Sequence, residues 1–137
     1  VGLNEMTAKE EGIPYEVSTA EFSGNDRALA EGETAGKVKV LLEPRRLMGL
    51  RGGKIIGAQI AGPHAGELIH EYVQAMQHGL KGPKLTGAVH AYPTLSEINK
   101  RAVSDHLAKG LFTPTTRRWL GRLFGFAGRL NPGKGEA

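Results

Sequence analysis

The feature that most constrains the fold of this chain is an amphipathic pattern between two Gly-Pro pairs, Gly62-Pro63 and Gly82-Pro83. Apolar residues recur between these pairs at helical spacing: Ala65, Leu68, Ile69, Tyr72, Val73, Met76 and Leu80. A repeat of three to four residues places such side chains on one face of a helix, and Gly and Pro end helices. The pattern predicts a long helix over residues 65–80, with an apolar face that must pack against another layer.

Three stretches before this helix predict the layer that it packs against. Residues 15–20 alternate, with Tyr15, Val17 and Thr19 on one face. Residues 37–42 alternate charged and apolar side chains, and residues 54–61 are apolar enough to predict burial on both faces. Alternation of this kind is typical of strands. The three stretches therefore predict an antiparallel meander.

The connections between these elements are predicted by glycine, proline and capping residues. Gly24-Asn25-Asp26 favours a turn, and residues 44–53 form a long basic hairpin loop with Arg45, Arg46 and Arg51. Thr7 is expected to cap a short helix that ends at Gly12. Residues 84–89 are expected to form a short connector.

A second long helix is predicted over residues 95–107, with Thr94 as its cap and Glu97 in the capping-box position. Two long helices beside a meander make an α+β fold, an antiparallel β-sheet meander packed against two long helices. We expect one domain over residues 1–110 and a basic amphipathic C-terminal tail over residues 111–137.

Composition excludes several classes of site. The 137 residues include no Cys, so the chain holds no disulfide, thiolate metal site or redox dithiol. The formal net charge is +4, and the stretch after His106 has six basic residues against one Glu, which leaves the rest near neutral. We therefore expect no nucleic-acid partner for the body. No window of eighteen apolar residues exists, and cytoplasmic residence is the expectation.

The tail has an apolar face opposite its arginines, formed by Trp119, Leu120, Leu123, Phe124 and Phe126. Basic amphipathic helices bind anionic membrane surfaces. The alternative is a terminal helix docked on its own domain or on a dimer mate, and glycines at 121, 125 and 128 favour docking because they weaken an isolated helix.

The five histidines do not have metal-site spacing. His70-Glu71 is followed by Gln74 where a His-Glu-x-x-His zinc motif needs its second His. We therefore expect no metal, and surface or capping positions for His64, His70, His78, His90 and His106.

The segment His90-Ala91-Tyr92-Pro93-Thr94-Leu95-Ser96-Glu97 resembles the His-Pro-Thr-x-x-Glu segment near the C-terminus of glutathione reductases and lipoamide dehydrogenases. Residues 62–69 and the opening Val1-Gly2-Leu3-Asn4-Glu5 are similar to the same family in the same order. The resemblance covers residues 1–110 and implies the C-terminal dimerisation domain of a pyridine nucleotide–disulfide oxidoreductase. In whole enzymes this domain follows the FAD and NAD(P) domains, forms the homodimer, and sends its motif loop towards the partner subunit's flavin.

One position departs from the disulfide-reducing members, which have His where this chain has Tyr92. Soluble transhydrogenases have Tyr there, and mercuric-reductase-like members also lack the His, so the chain resembles those branches more. The resemblance implies that Tyr92, Pro93 and Thr94 lie near the partner's flavin, and that Tyr92 and Glu97 are the catalytic candidates in the full-length dimer. His90 is a weaker candidate, because an extended loop would place it on the same side as Tyr92. The Tyr92-Pro93 bond is expected to be cis.

Without the family, Tyr92-Pro93-Thr94 is a turn and helix cap with no chemistry, and two other functions stay open. The chain is either a stand-alone dimeric interaction module or a membrane-surface adaptor that acts through its tail. Within the family, we expect hydride transfer from NAD(P)H through FAD in the parent enzyme. The isolated chain should be inactive and flavin-free, since it lacks the glycine loops that hold a dinucleotide phosphate.

Overall fold

The computed structural model describes residues 1–44 and 53–111. Three strands form one antiparallel sheet in the order β1-β2-β3, namely β1 (Glu16–Glu21), β2 (Lys37–Leu42) and β3 (Ile55–Ala61). In its register Val40 of β2 lies between Ser18 of β1 and Ala58 of β3. The predicted meander and the α+β class are confirmed. The predicted loop arginines, Arg45, Arg46 and Arg51, lie outside the described residues.

Five helices accompany the sheet in this part of the chain: α1 (Glu5–Glu10), α2 (Asp26–Glu31), α3 (Ala65–Gln77), α4 (Gly82–Thr86) and α5 (Glu97–Leu111). One turn of 3-10 helix, Phe22–Gly24, precedes α2. The two long helices predicted from periodicity are α3 and α5. The first ends at Gln77, three residues before the predicted residue 80, and Gly79, which was expected to stop it, follows in a left-handed conformation. The second begins two residues later than predicted and continues to Leu111.

The main core lies between one face of the sheet and the two long helices. The sheet contributes Val38, Val40 and Leu42 from its central strand, all buried. The helices contribute Leu68, Tyr72 and Ala75 from α3 and Ile98, Ala102 and Val103 from α5. Burying one large apolar side chain stabilises a fold by about 1.5–3 kcal/mol. This layer therefore supplies much of the energy that fixes where α3 and α5 lie.

In strand β1 the face with Ser18 and Ala20 packs towards the helices, and the face with Val17 does not. Ser18 and Ala20 are buried, whereas Val17 and Thr19 are exposed. The Ser18 hydroxyl donates a hydrogen bond to the carbonyl of Ala102 in α5. A small side chain with its own hydrogen-bond partner allows the helix to approach closely, which alternation alone does not reveal.

The N-terminal segment pairs with the edge of β3 that does not contact β2, through an antiparallel bridge between Gly2 and Gly57. Leu3 N donates to Ile56 O at 2.9 Å and Ala58 N donates to Val1 O at 2.9 Å. Gly57 is required here, because a Cβ atom at this position would lie 1.8 Å from the carbonyl oxygen of Leu3. Helix α1 follows directly, and its Glu5 pairs with Lys39 of β2.

Three local predictions were wrong. The cap of α1 is Asn4, whose side chain accepts from Thr7 N, so Thr7 lies inside the helix instead of capping it. Asp26 begins a six-residue helix where a turn alone was predicted. Residues 82–86 form α4, because a proline is well tolerated in the first turn of a helix.

Candidate functional site

The motif loop, residues 87–96, joins α4 to α5 and contains a cis Tyr92-Pro93 peptide bond, as predicted. The loop lies at the surface, with Val89 98% exposed and Tyr92 70% exposed. Thr94 leads into α5, and its hydroxyl donates to Ala91 O at 2.7 Å. The backbone of the loop is thus fixed locally while two large side chains point outwards.

The phenol of Tyr92 is directed at α2. Its hydroxyl donates to Oδ2 of Asp26 at 2.8 Å. This hydrogen bond, and then the negative charge of Asp26, raise the pKa of Tyr92 above its ordinary value; slight desolvation and the charge of Glu97 act in the same direction. The phenol is consequently neutral at physiological pH and is a weak general base.

Two further contacts join the turn before α2 to the start of α5. Asn25 is 4% exposed, and its amide nitrogen donates to Thr94 O at 3.1 Å. Its carbonyl oxygen accepts from Ala28 N at 3.0 Å, which caps α2. Arg101 of α5 donates to Gly24 O. We call residues Gly24, Asn25 and Asp26 the site turn, since all three bind the segment from Tyr92 to Arg101.

Glu97 begins α5 and binds the backbone before it. Its carboxylate accepts from Thr94 N at 3.4 Å, as the capping-box position predicts. A full capping box would also have the Thr94 hydroxyl accept a hydrogen bond from the backbone of Glu97. Instead, this hydroxyl donates to Ala91 O and lies 2.8 Å from the Ser96 hydroxyl. Glu97 contributes to the potential at the Tyr92 phenol but supports the loop mainly through the backbone.

His90 faces α3, whereas Tyr92 faces α2, so the two side chains bind different elements. The His90 Nε2 atom lies 2.8 Å from Oε1 of Glu71, and Nδ1 lies 3.2 Å from Ala88 O. Both partners are hydrogen-bond acceptors, so the ring lies between the Glu71 carboxylate and the backbone of its own loop. His90 therefore anchors the first half of the loop.

A buried polar network behind His90 was not predicted from the sequence. The Asn99 amide nitrogen donates to Oε2 of Glu71 at 2.9 Å and to Leu68 O at 2.8 Å. The Tyr72 hydroxyl donates to Asn99 O at 2.9 Å, and burial, with the charge of Glu71, raises the pKa of Tyr72. The signal that could have revealed it is a polar residue, Asn99, directly beside the apolar positions of the predicted helix.

An open depression of about 360 Å³ lies beside the site turn. Its lining carries both signs of charge, with Asp26, Glu97, Lys100 and Arg101 among the lining residues. A mixed, open lining of this kind suits polar contacts with another surface more than enclosure of a small ligand.

Three further histidines, His64, His70 and His78, belong to α3 or its ends. His64 precedes the first residue of α3 with φ of 52°, and His78 follows its last residue. Both are exposed, as is His70. Within residues 1–44 and 53–111 no three acidic or histidine side chains are grouped to hold a metal ion. No helix in those same ranges is long and apolar enough to cross a membrane.

Sequence comparison agrees with this architecture. Residues 1–103 match the dimerisation domain of pyridine nucleotide-disulphide oxidoreductases. Dihydrolipoamide dehydrogenase of Chaetomium thermophilum is 37% identical over 111 residues, which cover 81% of this chain and 21% of that protein. Mitochondrial dihydrolipoyl dehydrogenase of Schizosaccharomyces pombe is 38% identical over 103 residues, covering 75% and 19%. The chain thus spans about a fifth of the length of these relatives.

Solved structures share the fold. LpdA from Mycobacterium tuberculosis has a TM-score of 0.66 at 24% identity, over 77% of this chain and 22% of that one. RclA, a flavoprotein disulfide reductase from Escherichia coli, has a TM-score of 0.67 at 24% identity, over 76% and 22%. The resemblance drawn from the motif segment is thereby confirmed. Fold, motif loop and sequence match coincide over residues 1–103, and the chain belongs to the family of pyridine nucleotide-disulphide oxidoreductase dimerisation domains.

Proposed function

We propose that this domain forms the interface of a homodimeric, FAD-dependent NAD(P)H oxidoreductase and presents its motif loop to the partner subunit's flavin. In that enzyme the domain acts beside the FAD and NAD(P) domains of the parent chain. The relatives named as dihydrolipoyl dehydrogenases and the flavoprotein fold neighbour support this assignment. A stand-alone interaction module or a membrane-surface adaptor has no comparable support.

The observation that carries the proposal is the exposure of the motif loop. Val89 is 98% exposed and lies three residues before the 70% exposed Tyr92. The same loop is fixed from behind by the His90–Glu71 contact. Grouped exposed apolar side chains mark surfaces that another protein covers, and this loop has two large ones, Val89 and Tyr92, on the same short segment.

Self-association tests the interface. We expect the chain to sediment as a dimer at tens of micromolar, an order of magnitude typical of modest interfaces. Val89→Asp should shift it towards monomer, because a carboxylate buried in an interface is costly. Met6→Asp is the matched control, since Met6 is also exposed, at 66%, but belongs to α1 and not to the loop. A wild-type monomer throughout this range, or equal effects of both variants, would contradict the interface.

The chemistry proposed for the loop follows from Tyr92. The resemblance gives the disulfide-reducing members a His here as proton carrier, whereas the Tyr92 phenol donates its one hydrogen to Asp26 and, being neutral with a raised pKa, is a poor base. FAD would supply the hydride chemistry when it is bound, and the 70% exposed side chain of Tyr92 would be accessible to it. We therefore propose weak activity on ordinary disulfides and better hydride transfer to acceptors that need no dithiol base, as in transhydrogenase or mercuric-reductase-like members.

Steady-state turnover of the full-length enzyme tests this chemistry. Tyr92→Phe should lower turnover from NAD(P)H to a quinone or dye by less than about tenfold, below the 10²–10⁴-fold typical of losing an acid–base group. Tyr92→His should raise disulfide reduction if the flavin-side Cys pair is intact. A hundredfold loss in the Phe variant would identify the phenol as a true acid–base catalyst and refute the proposal.

Three finer assignments also stay proposals. We propose a cytoplasmic location for the parent enzyme. We expect no stoichiometric flavin absorbance from the purified 137-residue chain. The tail over residues 111–137 lies almost wholly outside the described residues, and we propose that it docks on the protein instead of on anionic membranes. Loss of vesicle binding on deletion of the residues after Pro114 would favour the membrane instead.

A further inference from the structure

We propose that Asp26 is a positioning residue for Tyr92, which holds the phenol in one direction through the hydrogen bond between their side chains. The contact itself is a property of this chain. Its consequence for catalysis rests on the proposed function of the motif loop, so the two are tested separately.

The first support is the way the Asp26 backbone is fixed. Asp26 is the first residue of α2, and the preceding Asn25 caps that helix from a buried position. The same Asn25 binds Thr94 O at 3.1 Å, two residues beyond Tyr92. Donor and acceptor of the Tyr92–Asp26 bond thus lie on two segments that the Asn25 side chain joins through its hydrogen bond to the Thr94 carbonyl. The positions of the two side chains are therefore fixed by the hydrogen bonds that hold their backbones.

The second support is the number of hydrogen bonds that the phenol can donate. A tyrosine hydroxyl has one hydrogen to donate and lone pairs that accept. In this structure the hydrogen points at Oδ2 of Asp26, 2.8 Å away. The hydroxyl therefore offers only its lone pairs to any other group until the bond with Asp26 breaks. Asp26 accordingly selects what Tyr92 can do, which is to accept a hydrogen bond.

The charged groups around the phenol agree with this role. Asp26 from α2 and Glu97 from α5 both bear negative charge near it, and both raise the pKa of Tyr92. Lys100 and Arg101 line the neighbouring depression on α5, where Arg101 binds Gly24 O. Replacing Asp26 by Asn keeps a side chain of the same length with an oxygen acceptor. It removes the negative charge that raises the pKa of Tyr92 more than Glu97 does.

The contact is tested in the 137-residue chain by nuclear magnetic resonance titration of ¹³Cζ-labelled tyrosines, assigned by Tyr→Phe variants. Asp26→Asn should lower the pKa of Tyr92, and Asp26→Ala should lower it as well. Glu33→Gln is the control, because it removes the same charge from an exposed position just after α2. Circular dichroism melting checks that each variant is folded. An unchanged Tyr92 titration in Asp26→Asn, or an equal change in Glu33→Gln, would overturn the assignment.

The catalytic consequence is tested in the full-length enzyme by a double-mutant cycle. Asp26→Asn should change turnover by about twofold or more, the lower end of the coupling expected for contacting residues. In a Tyr92→Phe background the same substitution should have no further effect. An Asp26→Asn effect of equal size in both backgrounds would show a general structural role and overturn the positioning.

The sedimentation test of the interface and the titration test of the positioning can fail independently. A lowered Tyr92 pKa in a chain that remains monomeric would support the positioning while contradicting the proposed interface. A dimer whose Tyr92 titration ignores Asp26 would support the interface and contradict the positioning.

Discussion

Replacement of Asn25 by Ala should destabilise the chain by about 2 kcal/mol, because this side chain makes two separate hydrogen bonds. Its carbonyl oxygen caps α2 by accepting from Ala28 N at 3.0 Å, and losing such a cap costs about 1 kcal/mol. Its amide nitrogen donates to Thr94 O at 3.1 Å, and losing a bond of this type costs about 1 kcal/mol. At 4% exposure, water has little access to replace either bond.

Two further variants separate these contributions in urea unfolding. Asn4→Ala removes a cap alone, since Asn4 accepts from Thr7 N at 2.9 Å at an exposed helix start, and should cost about 1 kcal/mol. Asn25→Ser keeps a capping oxygen but loses the amide donor, and should also cost about 1 kcal/mol. If Asn25→Ala costs no more than Asn4→Ala, or Asn25→Ser equals the wild type, the bond to Thr94 does not hold the motif loop and the reasoning fails.

Two other predictions concern the sheet edge and the polar network. Gly57→Ala should cost about 2–3 kcal/mol in urea unfolding, because a Cβ atom 1.8 Å from Leu3 O forces the N-terminal segment off β3 and breaks its hydrogen bonds; Gly66→Ala, in open space on α3, is the control and should not destabilise. Burial, with the charge of Glu71, raises the pKa of Tyr72 above the value near 10 that it has in an unfolded chain. The contribution of Tyr72 to the free energy of unfolding is therefore complete below about pH 10 and is lost progressively as the pH rises above it. The free energy of unfolding should fall above about pH 10, by up to about 1.4 kcal/mol per pH unit for this one group, and less steeply in Tyr72→Phe. Equal slopes in both proteins would show that Tyr72 is not the group responsible.

The elements with long, regular patterns were predictable from the sequence, and those fixed by tertiary contact were not. Helix α3 and strand β2 follow from apolar spacing alone, and β2 has its predicted bounds. The inward face of β1 was not predictable, because Ser18 is buried through a bond to Ala102, 84 residues away. A polar residue with a distant partner gives no local signal.

The residues of the motif loop were predictable from the sequence, but the residues that contact the loop were not. Residues 90–97 and the cis Tyr92-Pro93 bond were predicted through the family resemblance. Asp26 was not predicted as a neighbour of Tyr92, because Gly24-Asn25-Asp26 has the composition of an ordinary turn. Its role depends on a pairing across 66 residues that composition does not encode.

The double use of Asn25 has a consequence for the order of folding. Its bond to Ala28 spans three residues, whereas its bond to Thr94 spans 69. Contacts between distant residues must first overcome the entropy of closing the intervening chain, so they form late. The amide of Asn25 should thus be unpaired in the folding transition state while its carbonyl already caps α2. Loss of the amide donor should then appear as faster unfolding at an unchanged folding rate.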